Sequence, residues 1–316
     1  VIWTYPKPES GERGWRKISN QPPGIKVLDI AVAGNHLYAV TSRKGVSLGD
    51  SGYYRLKDDA SGWDPIQSPE SHPYPNVIYG AEDALFAAVA SGSHYAVYAL
   101  KNGATEFTLI REASAQGEGL LMGAAQFDGK YFISLGGLGV FTVDSVDAPS
   151  PPTKLVTGSD NKGNFTGFIE LDGFLLMVSS SGVICKLSPG DTDITEANSH
   201  SLGFSFFGAL AVWRDNPKET EAPTDPSKRL LLLSRKGSNS NYSGYGYYEC
   251  QIPKGFEIKS LGIIEPQFTV EKNATYKNSL GKRAINSIMQ APDGIIFAST
   301  QSYNLWGCRD GVWNYE

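Results

Sequence analysis

Cysteine, methionine and histidine are scarce in this 316-residue chain, with three, three and four copies. Cys185, Cys250 and Cys308 are too few and too far apart for a disulfide framework, and no CxxC or Cys/His metal spacing occurs. No stretch approaches the ~20 uninterrupted apolar residues of a membrane-spanning helix. No window carries a sustained 3.6-residue apolar stripe, because 35 Gly and 18 Pro interrupt each candidate, so helical folds are excluded. Gly-x-Ser-x-Gly is missing, so a hydrolase triad of that type has no support. No motif for a cofactor or a metal ion is present, and neither is expected. Basic charge is not in excess: 28 Lys and Arg against 33 Asp and Glu give a net charge of -5. That balance excludes a sequence-blind nucleic-acid binder.

What the chain does have is apolar and aromatic content, 41% and 11% of residues, enough to fill a core. Length alone allows two domains or one large all-β unit. A short pattern recurs six times: a polar or Gly turn, then a run of apolar residues ending in small ones. The runs are Leu37–Val40, Leu85–Ala88, Tyr131–Ser134, Phe174–Val178, Leu230–Leu233 and Ile295–Ser299. Gly34-Asn35, Asp128-Gly129, Asp172-Gly173 and Asp293-Gly294 precede four of them, and such pairs mark tight hairpins that need positive φ. The runs have strand length and are apolar on both faces, so they read as buried inner strands.

A second element follows each run, a short strand rich in aromatics. These are Gly52–Leu56, Tyr95–Ala99, Gly139–Val143, Gly182–Lys186, Gly246–Cys250 and Asn304–Cys308; Val1–Tyr5 fits the same template. A third element closes each unit, as in Gly14–Ile18, Gly62–Ile66 and Glu106–Ile110, and the chain ends on Asp310–Tyr315. Pro65 suits an edge strand, where no ladder donor is lost. Two insertions interrupt the pattern: 214–228, a polar Pro-punctuated loop, and 262–282, with an added strand expected at Gln267–Val270.

A spacing mostly in the forties and fifties with about four strands per unit fits a propeller blade. The chain resembles the β-propeller superfamily over nearly its whole length. Its turn-plus-Trp segments, Asp58–Trp63, Glu12–Trp15 and Arg309–Trp313, are similar to the Asp-box turn Ser-x-Asp-x-Gly-x-Thr-Trp at its Gly-to-Trp end only. The WD dipeptide does not recur at blade ends, and a regular kelch Gly-Gly pattern is missing. The resemblance implies a fold and no particular activity. The expectation is an all-β chain, one β-propeller domain over 1–316, with six four-stranded blades over 20–316. Residues 1–19 form a partial pair at the ring seam, and seven blades result if they supply inner strands themselves.

The tetrapeptide Ser-Arg-Lys-Gly occurs twice after an inner strand, at 42–45 and 234–237, each time opening a long loop. The second loop, Asn-Ser-Asn-Tyr-Ser-Gly-Tyr-Gly, combines adaptable polar groups with rigid aromatic anchors. Arg43, Lys44, Arg235, Lys236, Tyr242 and Tyr245 are therefore the expected binding rim. The expected function is a non-enzymatic scaffold recognising a protein or glycan through those loops. The alternative is a carbohydrate-active propeller, sialidase-like or lyase-like, which would gather Arg43, Arg214, Arg235 and Arg283 with Tyr242 or Tyr245 on one face. Asp191 and Asp193 read as turn formers rather than Ca²⁺ ligands, and the three thiols as inert small hydrophobes. The start at Val1, the mild acidity and the Tyr/Asn/Gly/Ser-rich loops lead us to expect an exported protein.

Overall fold

Each apolar run becomes the second strand of a four-stranded antiparallel sheet, and each aromatic segment becomes the third. The structure is a computed structural model that describes residues 2–4, 15–23, 26–42, 52–69, 74–91, 94–113, 120–147, 149–157, 164–203, 206–219, 221–235, 247–261, 263–264, 285–300, 305–309 and 312–315. There are six such sheets, and helix among the described residues is confined to two 3-10 turns, Pro226–Lys228 and Ile258–Ser260. The first sheet runs Lys26–Ala33, His36–Ser42, Gly52–Leu56, Trp63–Ile66. The second runs Tyr74–Ala81, Ala84–Ser91, His94–Lys101, Thr108–Ala113. The third is Leu121–Phe127, Lys130–Leu135, Gly139–Val143, Thr153–Lys154. The fourth is Phe165–Leu171, Phe174–Ser179, Val183–Leu187, Ser199–Ser201. The fifth is Phe206–Arg214, Arg229–Arg235, Tyr247–Gln251, Ile263–Ile264. The sixth is Ile285–Gln290, Ile296–Thr300, Leu305–Arg309, Val312–Tyr315. The chain forms two compact units, Val1–Val156 and Thr157–Glu316, with three sheets in each. Within each unit successive sheets stand side by side through their first strands.

Local chemistry sets the hairpins. Asp128-Gly129 and Asp172-Gly173 have positive φ at both central positions (50° and 71°, 53° and 78°), as a type I′ turn requires. In Gly34-Asn35 only the glycine is positive, at 57°, the pattern of type II′.

The first strands are what the sequence pattern did not show. All six carry a register irregularity against the second strand near their start, between Val27 and Asp29, Pro75 and Val77, Leu121 and Gly123, Phe165 and Gly167, Phe206 and Leu210, and Ile285 and Ser287. A bulge adds a residue and breaks the alternation on which strand reading rests. Close packing adds to this: a Cβ at Gly80 would lie 1.6 Å from the Val32 carbonyl oxygen of the neighbouring first strand. At the bulged end, the second strands bury a hydroxyl: Thr41, Ser134, Ser179, Ser234 and Thr300 are at most 1% exposed. The Ser234 hydroxyl accepts the Ala209 N–H that the bulge in the fifth sheet leaves unpaired in the ladder.

The sheet count is six, and the N-terminal pair is a minor extra. Trp3–Thr4 pairs with Arg16–Lys17, and Ile2 packs with Ala39, Tyr54 and Trp63 of the first sheet. Gln21 holds this edge by accepting from the Ile2 N–H and donating to the Ile2 and Ile18 carbonyls. The turn before Trp63 places Ala60 at φ 54° and the Ser61 N–H on the Asp59 carboxylate, and Trp63 Nε1 donates to Asn20 O. The 214–228 insertion folds on itself, with Arg214 donating to the Glu219 and Glu221 carbonyls and Asp225 capping Pro226–Lys228. The expected strand Gln267–Val270 lies outside the described residues.

Candidate functional site

Sheets five and six, both in the second unit, are locked together at one end and part at their rim. Gln290, last residue of a first strand, donates to the Arg214 carbonyl at 2.7 Å and accepts from its N–H at 2.9 Å. Below, Leu232, Tyr247, Ile288, Trp306 and Trp313 form one apolar cluster, with Tyr247 edge-on to Trp313 at 6.0 Å. Above it opens a cleft of about 630 Å³. That volume is in the range of ligand pockets. Trp213, Leu230, Leu232, Ile295 and Ile296 give apolar walls; Asp215, Glu249, Asp293 and Arg309 give the charge.

Glu249 is the unusual group. Strand alternation puts Tyr247 and Glu249 on one face of their strand, and both line the cleft. Laterally Glu249 is paired with Leu232, whose aliphatic side chain lines the cleft with it. Burial pushes its carboxyl above the usual range, partly countered by a hydrogen bond with the Tyr247 hydroxyl. Burial and the Glu249 charge push the Tyr247 phenol up as well. Cys308 also lines the cleft; like Cys185 and Cys250 it is a buried free thiol. Burial raises Cys185 and Cys250 to about 12, so neither is a nucleophile.

None of the expected rim residues has a described side chain. Arg43, Lys44, Lys236, Tyr242 and Tyr245 lie outside the described residues, as do Arg283 and the side chain of Arg235. Arg235 ends the second strand of the fifth sheet, its backbone paired with Phe206. Within the fifth sheet Arg235 ends the second strand at the end away from Leu230, which lines the cleft. Arg214 spends its guanidinium on loop carbonyls. Asp191 accepts from the Ser188 N–H and caps its own turn, as a turn former does. Among the described residues no group of three or more His, Cys, Asp or Glu is arranged to hold a metal ion. Sequence reasoning took Gly246–Cys250 as a structural strand and passed over Glu249; the one available signal was a carboxylate in the middle of an otherwise aromatic strand.

A second interlock joins sheets four and five. Arg229 is fully buried, gives Nε to Ile252 O at 2.7 Å, and bonds both Asp172 oxygens at 2.8 and 2.6 Å. Lys186 lies 4.3 Å from the Phe174 ring centroid and 4.6 Å from that of Phe256, and donates to Phe256 O. These groups satisfy one another and serve packing.

No family model matches the chain, and no curated protein matches it. Solved structures do. The β-propeller domain of Cps50 (Swd1) from Myceliophteria thermophila is 12% identical, over 94% of this chain and 87% of that one, at a TM-score of 0.56. YCF48 bound to D1 peptide is 12% identical, over 94% and 82%, at 0.53. YCF48 from Cyanidioschyzon merolae is 11% identical, over 92% and 86%, at 0.55. At these identities the likeness shows the β-propeller fold alone, and the six four-stranded sheets among the described residues are its blades.

Proposed function

We propose that this propeller is a non-enzymatic recognition module that docks a segment of a partner protein in the cleft between its fifth and sixth blades. The observation that carries the reading is the cleft itself, lined by five apolar residues, Trp213 among them, and by four charged ones. Similarity to a propeller solved with a peptide, YCF48 with D1 peptide, supports a protein segment over a glycan. The segments bearing Arg43, Lys44, Arg235, Lys236, Tyr242 and Tyr245 are proposed as a second contact, checked by binding of an Arg235→Ser, Tyr242→Ser variant. Mild acidity and loop composition support an exported protein, which cell fractionation checks.

A pooled hexapeptide library and a glycan array, each probed with the native protein and with Trp213→Ala, test the docking site. Peptide retention that falls about tenfold or more in the variant, roughly 1.4 kcal/mol, is the expected result. Retention of glycans alone, or peptide retention indifferent to Trp213, overturns it. The carbohydrate-enzyme alternative would draw on the same Glu249, and a hydrolysis screen run beside the arrays decides it: turnover lost in Glu249→Gln replaces the scaffold reading.

A further inference from the structure

Resting on that docking reading, we infer that the cleft selects a partner segment presenting an arginine or lysine next to an apolar residue, with Glu249 as the acceptor of the cation. Three observations converge. The carboxylate stands beside the aliphatic side chain of Leu232, its lateral partner on the neighbouring strand and a fellow lining residue of the cleft, and so in a drier place than a rim acid. Its internal partner is a single neutral hydroxyl, Tyr247, while an ionised carboxylate offers about four acceptor sites. Around it the cleft is lined by three carboxylates, Asp215, Glu249 and Asp293, against one guanidinium, Arg309.

A desolvated carboxylate opposite a guanidinium or ammonium regains through charge-assisted hydrogen bonds what it lost in leaving water. The aliphatic stem of an arginine or lysine lies along apolar surface while its head reaches a charge, and Leu232 with Ile296 supplies that surface. Trp213 adds a ring face that favours a cation. A volume of about 630 Å³ exceeds one such side chain, so an apolar neighbour enters with it. An acidic segment meets like charge and is rejected.

The test uses the intact protein and five hexapeptide pools whose third residue is fixed as Arg, Lys, citrulline, Leu or Glu, with mixed apolar flanks. Citrulline keeps the shape of arginine and removes its charge. The inference expects the Arg and Lys pools to be retained at least about tenfold over citrulline and Glu, a difference of about 1.4 kcal/mol. Glu249→Gln should erase that ratio while its Tm holds or rises, which a merely structural carboxylate would not do. Asp293→Asn, an exposed change, should reduce the ratio in part. Equal retention of Arg and citrulline, or a preference that survives Glu249→Gln, overturns the inference. Peptides retained through Trp213 with no basic preference sink the inference and leave the docking site. No pool retained at all sinks both.

Discussion

At the residue scale, two carboxylates in the second unit behave oppositely, and the difference is their partners. Asp172 lies on the buried Arg229 guanidinium, which holds its carboxyl below the usual carboxylate range. The stability it contributes is fully present above the unfolded value, about 4, and is lost as pH falls through the lowered folded one. Asp172→Asn leaves a buried cation without its countercharge and should destabilise by about 3–5 kcal/mol at pH 7. Urea unfolding of the variant at pH 7 and pH 3 measures this, and the gap from the native protein should shrink at the lower pH. Among the described residues no cation offsets the burial of Glu249. Its folded pKa lies above the unfolded one, so its ionised form opposes folding as pH rises, and Glu249→Gln is expected to stabilise the chain at pH 7. A group that costs stability where it stands is what a binding site looks like from the standpoint of folding.

At the element scale, glycines do two different jobs. Gly80 has no room for a side chain: the Val32 carbonyl occupies the place of its Cβ. Gly129 has open space around the same atom, but its backbone sits at φ 71°. Gly80→Ala must push two first strands apart and should cost more than about 3 kcal/mol or prevent folding. Gly129→Ala should cost about 1–2 kcal/mol, the penalty of a left-handed residue, and Gly129→Asn less. Thermal unfolding of the three variants checks the order; a Gly80→Ala protein as stable as Gly129→Ala would show that the first strands are not held this close.

The contrast between strands explains what was legible. Second strands such as Leu230–Leu233 are apolar throughout because both faces are covered, and they stood out at once. Third strands such as Gly139–Val143 matched residue for residue. First strands hid because bulges shift their alternation and small residues such as Gly80, Gly123 and Gly167 replace the β-branched ones.

At the scale of the whole molecule, sheets within each unit are held to their neighbours by shared apolar clusters and by polar clasps between them. In the first unit Asp29 accepts from the Ile78 N–H, and Tyr131 donates to Asp83. In the second, Arg229 meets Asp172 and Gln290 brackets Arg214. Gln290→Ala removes two backbone-directed bonds beside the cleft. It should lower stability by about 1–3 kcal/mol and weaken peptide retention, since Gln290 both clamps Arg214 and lines the cleft. A variant that loses stability but binds as before would show that the cleft does not depend on the clamp.

The sequence by itself determined the all-β class, the number of hairpins and their turn types. Those follow from contacts a few residues long: an Asp-Gly pair, an alternating run, a proline at an edge. Only the tertiary structure decided that Trp3–Thr4 pairs with Arg16–Lys17 and that Ile2 packs against the first sheet. It alone brought Asp215, Glu249 and Asp293 around one cleft, from positions 34 to 78 residues apart. The reason is that side chains on neighbouring blades meet through sheet packing, whose distances no local pattern records.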